Sequence, residues 1–145
     1  MKLVVQRVQN AKLTVDNKLV SEIGKGLIVL LGVAVDDTEE KLEYLVHKLS
    51  GLRIFEDENE KLNKSLKDID GELLLISNFT LLGELNSGFR PSFTKSAKFD
   101  FANSMYLKFA KRLEDNGIKV KLGAFGEDMQ TSTTLDGPVT ILMEK

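Results

Sequence analysis

Glu72-Leu73-Leu74-Leu75-Ile76-Ser77-Asn78-Phe79-Thr80 opens on an uninterrupted apolar run and then switches abruptly to hydroxyls and an amide. A short stretch with no polar face is the pattern of a strand covered on both sides. Gly26 to Val35, continuous and rich in Val, Ile and Leu, reads the same way. Strands of this kind need layers of other structure over them. The sequence supplies two amphipathic helices to do it.

The first helix is signalled by Asp37 with Glu40 three residues on, then Leu42, Leu45, Val46 and Leu49 at i, i+3, i+4, i+7. The second is expected from Lys95 to Asn116, with Phe99, Ala102, Tyr106, Phe109 and Leu113 on one stripe and Gly117 ending it. Lys2–Gln9 alternates as a half-buried strand, and Leu13–Val15 and Leu19–Ile23 flank a hairpin tip at Asp16-Asn17-Lys18. Leu52–Phe55, Ile118–Leu122, Asp128–Leu135 and Val139–Met143 read as further strands, with a polar turn at Asp57–Glu60. The order βββ(β)–α–β–β–α–β–β–β describes an α/β or α+β fold with a mixed or largely antiparallel sheet. At 145 residues, with no repeat or linker, residues 1–145 are expected to form one domain.

Composition narrows the chemistry. The chain has no cysteine, which excludes thiolate nucleophiles, iron–sulfur clusters and cysteine zinc sites. A single histidine, His47, lies off the apolar face of the first helix, so no His-rich metal site can be built and none is expected. The longest apolar stretch is half a membrane span and the N-terminus lacks signal-peptide character, so a cytoplasmic protein without a membrane partner is expected. Net charge is −2, yet residues 86–121 hold eight bases against three acids, and residues 36–72 hold twelve acids against six bases. The basic segment fits either a polyanion contact or a solvated helix face with counter-charges nearby.

Three segments are candidates for function. Ser77-Asn78-Phe79-Thr80-Leu81 brings hydroxyls, an amide and free backbone N–H groups to a strand end; it reads as an oxyanion site or as a terminus whose hydroxyls satisfy local backbone. Asp136-Gly137-Pro138 reads as a turn between two strands, or as a place where glycine lets a ligand approach the main chain. Gly88-Phe89-Arg90-Pro91-Ser92-Phe93 puts a cation between two aromatics, suited either to stacking a base or binding phosphate, or to anchoring a loop. The phosphate-loop and dinucleotide glycine patterns are absent.

These segments, together with Val4-Val5-Gln6-Arg7-Val8, Leu52-Arg53-Ile54-Phe55, Asn63-Lys64-Ser65, Gly123-Ala124-Phe125-Gly126 and Asp136-Gly137-Pro138-Val139-Thr140, give the chain its resemblance to the D-aminoacyl-tRNA deacylase family over its full length. That resemblance implies a barrel-like homodimer that hydrolyses D-aminoacyl-tRNA, and glycine mischarged on alanine tRNA, without metal or organic cofactor. The partner is then the 3′ end of tRNA rather than DNA. It further implies a cis Gly137–Pro138 bond reaching into the partner subunit's pocket, where its carbonyls hold the α-amino group and exclude L side chains. Ser77, Asn78, Phe79 and Thr80 would form the catalytic strand end. The N–H groups around Phe79 and Thr80 would stabilise the oxyanion, and the terminal ribose 2′-OH would help activate water. Arg7 would brace the Gly-Pro segment, and Phe125 and Met129 would line the pocket.

Two positions depart from the family pattern: Asn78 stands where Gln is usual, and Leu135 where Asn is usual. They leave open a non-catalytic tRNA-end or protein-binding module on the same fold. A small homodimeric esterase acting on free esters is the third reading.

Overall fold

The computed structural model describes residues 1–86 and 88–145. In chain order the elements are β1 (Lys2–Val15), β2 (Lys18–Ile23), β3 (Gly26–Gly32), α1 (Glu39–Ser50), β4 (Arg53–Glu56), β5 (Leu62–Ser65), β6 (Glu72–Ser77), a 3-10 turn (Phe79–Leu82), α2 (Phe99–Asp115), β7 (Lys119–Leu122) and β8 (Gln130–Glu144). The main sheet is mixed. It runs β2-β1-β3-β6-β7, with β8 on the other edge of β1 and a separate β4–β5 ribbon. β1 pairs antiparallel with β2, β3 and β8, while β3–β6 and β6–β7 are parallel. The sheet coils into a nearly closed barrel in a single domain, and Ser21 Oγ on β2 donates to the Leu122 carbonyl of β7 at 2.6 Å.

β3 and β6 are the two strands without a polar face, and both are sandwiched. Leu27, Val29, Leu31, Leu73 and Leu75 face α1 and α2, meeting Leu45, Leu49, Tyr106 and Phe109. Ile28, Leu74 and Ile76 face the barrel interior with Val8, Leu13 and Ile23. Gly26 is obligatory in this pairing, since a Cβ there would lie 1.9 Å from the Glu72 carbonyl oxygen.

Several elements differ from the sequence reading. β1 is one strand, continuing through Asn10 into the β1–β2 hairpin, whose Asp16 and Asn17 take the paired positive φ of a type I′ turn (48° and 63°). α1 is capped by Thr38, whose hydroxyl accepts from the Lys41 N–H, and not by Asp37. Asp37 is buried, accepting from the Ala34 N–H and from the Met1 ammonium. α2 starts at Phe99, because backbone bonds tie Lys95 and Ala97 to Val35 and Val33 ahead of it. Phe99 is therefore 62% exposed rather than part of the core stripe.

The largest difference concerns Asp136-Gly137-Pro138. It does not turn the chain between two strands. β8 runs straight through it, and the four residues Asp136–Val139 bulge out opposite the single Arg7 of β1. No helix among the described residues is long and apolar enough to cross a membrane.

Candidate active site

The parallel pairing of β3 and β6 ends at Leu31 and Ser77, where the Asn78 N–H donates to the Leu31 carbonyl and the chain turns into the 3-10 segment. This end opens onto a cavity of about 630 Å³. Ser77, Asn78, Phe79 and Thr80 form one wall, and Phe125, Met129 and Phe99 face them. Phe99 packs edge-on to Phe125 with centroids 5.0 Å apart, and Phe125 in turn leans on Tyr106 at 5.5 Å. Tyr106 supports Phe125 from the core side. Its hydroxyl donates to the Leu75 carbonyl at 2.8 Å, and burial pushes its pKa up to about 12.

At the strand end, Asn78 acts on Thr80 directly. Its Oδ1 accepts from the Thr80 N–H at 3.2 Å and also from the Thr80 hydroxyl. The Thr80 N–H is thus engaged and is not a free oxyanion donor, which corrects the expectation that both neighbouring N–H groups serve. Phe79 N–H, first in the 3-10 turn, has no acceptor within the chain among the described residues, as expected of the opening N–H groups of a helical turn. It is the backbone donor at this strand end that remains available. The Thr80 hydroxyl, having donated to Asn78, presents only lone pairs. Neither a histidine nor a carboxylate hydrogen-bonds it.

A second constellation lies on β1 and β8. Arg7, 5% exposed, donates through Nη1 to the Ile54 carbonyl at 2.8 Å. Its Nε lies 3.0 Å from Asp136 Oδ2, an ion pair without hydrogen-bond alignment, and Nη2 lies 3.6 Å from Glu56. Arg7 therefore ties the base of the β8 bulge to β4. At the bulge, the Gly137–Pro138 bond is cis and both residues are exposed. Gly137 has φ +112°, and a Cβ on it would fall 2.8 Å from Val139 Cγ2.

The structure thus gathers Ser77, Asn78, Phe79, Thr80, Phe125 and Met129 around one cavity. It places Arg7, Gly137 and Pro138 together elsewhere, outside that cavity's lining. Sequence reasoning missed Glu127 and Asp128, which bring two carboxylates to the cavity wall, and Phe99. Position next to Phe125 and Met129 was the available signal for the acids; for Phe99, helical periodicity pointed to the core instead. Among the described residues no cluster of three or more metal-ligating side chains occurs.

Comparison with known proteins bears on this site. Residues 4–144 match the family described as D-Tyr-tRNA(Tyr) deacylase. The D-aminoacyl-tRNA deacylase of Clostridioides difficile is 49% identical over 144 residues, covering 99% of this chain and 97% of its own. That of Exiguobacterium sibiricum is 46% identical over the full length of both chains. Among solved structures, the c-Myc DNA Unwinding Element Binding Protein superposes with a TM-score of 0.93 at 40% identity, covering 100% of this chain and 99% of the other.

Proposed function

The chain belongs to the D-Tyr-tRNA(Tyr) deacylase family, and from that premise we propose that it hydrolyses the ester joining a D-amino acid to the 3′ end of tRNA. The single observation that carries this reading is the cavity at the end of β6, where the free Phe79 N–H stands beside Asn78 and Thr80. Water adds to the ester carbonyl, the negative charge on the tetrahedral oxygen is met by the Phe79 N–H, and the acyl C–O bond breaks. The departing ribose oxygen takes up the proton that the attacking water gives up. One well-placed oxyanion donor contributes about 10²–10³ in rate, and an aminoacyl ester is already labile. Thr80 is a positioned acceptor in this scheme rather than the nucleophile, since a hydroxyl without a base attacks poorly. The 2′-OH of the terminal ribose supplies the help that no side chain offers. No metal or organic cofactor takes part.

Stereochemical selection is assigned to Gly137 and Pro138. They lie outside the cavity of their own chain, at the bulge of an exposed strand that pairs only with β1 among the described residues. In a homodimer this bulge enters the partner subunit's cavity, and its carbonyls hold the substrate's α-ammonium. An L side chain then meets main chain, while a D side chain points away and the hydrogen of glycine fits. Glycyl-tRNA of the alanine type is for that reason a second substrate, and the enzyme works in the cytoplasm, where these esters arise.

The direct test is deacylation of D-tyrosyl-tRNA against L-tyrosyl-tRNA in the presence of EDTA. The D ester should be hydrolysed and the L ester spared. Tight binding of D-tyrosyl-tRNA without turnover would identify a binding module instead.

A further inference from the structure

The segment after the 3-10 turn leaves the cavity wall and returns to it. Glu84 and Ser92 exchange both backbone hydrogen bonds at 2.9 Å, closing the loop at its base. The base is docked on the active site: Phe93 packs edge-on to Phe79 with centroids 5.1 Å apart, and Ser96 Oγ donates to the Phe79 carbonyl. Beyond this base stands Phe89, at 105% relative exposure the most exposed large apolar side chain described, followed by Arg90. Single exposed apolar residues are ordinary. A phenyl ring with no intrachain packing, next to a guanidinium and joined to a cavity wall by two aromatic residues, is a stacking platform.

Charge bookkeeping points to the same rim. Of the eight cations in residues 86–121, Lys95, Lys108, Lys111, Arg112 and Lys119 are ion-paired with carboxylates of the chain. Among the described residues, Arg90, Lys98 and Lys121 are not. Arg90 lies on the loop, and Lys98 directly precedes Phe99 on the opposite wall of the cavity. The cavity, at about 630 Å³, is of the size that encloses one small ligand, hence a terminal nucleoside with its aminoacyl group. The nucleotides before it must leave across the rim.

We propose that Phe89, Arg90 and Lys98 bind the unpaired nucleotides preceding the terminal adenosine of the tRNA, Phe89 stacking on a base and the two cations taking phosphates. This rests on the deacylase reading for its ligand but not for its test. The probe is an uncharged RNA hairpin with a four-nucleotide single-stranded 3′ end, followed by fluorescence anisotropy, alongside hydrolysis of D-tyrosyl-tRNA and of the D-tyrosyl ester of adenosine. Phe89→Ala should weaken hairpin binding about tenfold, and Phe89→Trp should restore it. Arg90→Ala and Lys98→Ala should each lower the slope of log Kd against log salt by about 0.7, whereas Lys111→Ala should not. On D-tyrosyl-tRNA, Phe89→Ala should raise KM by the same factor and leave hydrolysis of the adenosine ester within about twofold. Unchanged hairpin binding in Phe89→Ala overturns the proposal, and so does an equal loss on both esters, which would make the loop a wall of the active site. If the wild-type protein hydrolyses neither ester, the deacylase reading fails, and the hairpin measurements still decide the rim.

Discussion

Asn78 holds both polar groups of Thr80 with one oxygen, and the shortness of its side chain makes this possible. The amide oxygen caps the 3-10 turn and so fixes the direction of the neighbouring Phe79 N–H. Asn78→Ala should free the turn, reduce the single-turnover rate on D-tyrosyl-tRNA on the order of a hundredfold and cost about 1 kcal/mol of stability. Thr80→Ala should cost less than about tenfold, as befits a lost contact rather than a lost nucleophile. Complete inactivation of Thr80→Ala would instead reveal a covalent route. Tyr106 carries a different prediction. Its folded pKa lies above the unfolded value of about 10, so the native state holds the proton more tightly. The stability this gives is intact below pH 10 and is lost as pH rises toward about 12, amounting to about 2–3 kcal/mol. Urea denaturation from pH 9 to 12 should show Tyr106→Phe losing less stability across that window than wild type. The Leu75 carbonyl stays satisfied in the variant, because the Gly123 N–H also donates to it.

Among the elements, β8 depends most on its partner. Opposite Arg7 it accommodates four residues where one would pair, and Arg7 ties the bulge to β4 through Asp136 and the Ile54 carbonyl. Gly137→Ala should abolish D-tyrosyl-tRNA hydrolysis while leaving the thermal midpoint within a few degrees, since the strained φ and the contact with Val139 displace only an exposed bulge. Arg7→Ala should lower both, at about 3 kcal/mol, because it strands Asp136 and the Ile54 carbonyl together. The bulge also shows where sequence reading stops. Period-2 alternation marks the first half of β8 and Val139–Met143 reads as a strand, but Asp-Gly-Pro has the composition of a turn. Only the 14 residues of β1, pairing with both halves, make it a bulge. α2 starts later than periodicity predicts for the same kind of reason, since backbone bonds to Val33 and Val35 hold Ala97 and Lys95 outside the helix. The buried strands β3 and β6, the hairpin tip and the polar end of β6 are legible, because each depends on local pattern. Partner strands and loop docking leave no periodic trace.

The whole molecule, as proposed, places its two half-sites on different subunits. Sedimentation equilibrium should then give twice the chain mass. Mixing an Asn78→Ala/Thr80→Ala protein with Gly137→Ala and allowing subunits to exchange should restore about a quarter of wild-type activity: half of the dimers are mixed, and each carries one intact site. Absence of any recovery would place both half-sites on one chain. The same scale explains the charge pattern. Of the eight cations in the basic segment, three are matched in space by the acidic segment, Lys108 by Glu39, Arg112 by Glu43 and Lys119 by Asp70.

That internal matching sets how long a visitor stays. With half of its cations already paired with its own carboxylates, the protein as proposed would hold tRNA by few phosphates, and dissociation is expected to be fast. An enzyme that works as proposed would sample correctly charged molecules and release each intact, detaining only those whose ester it is able to cut.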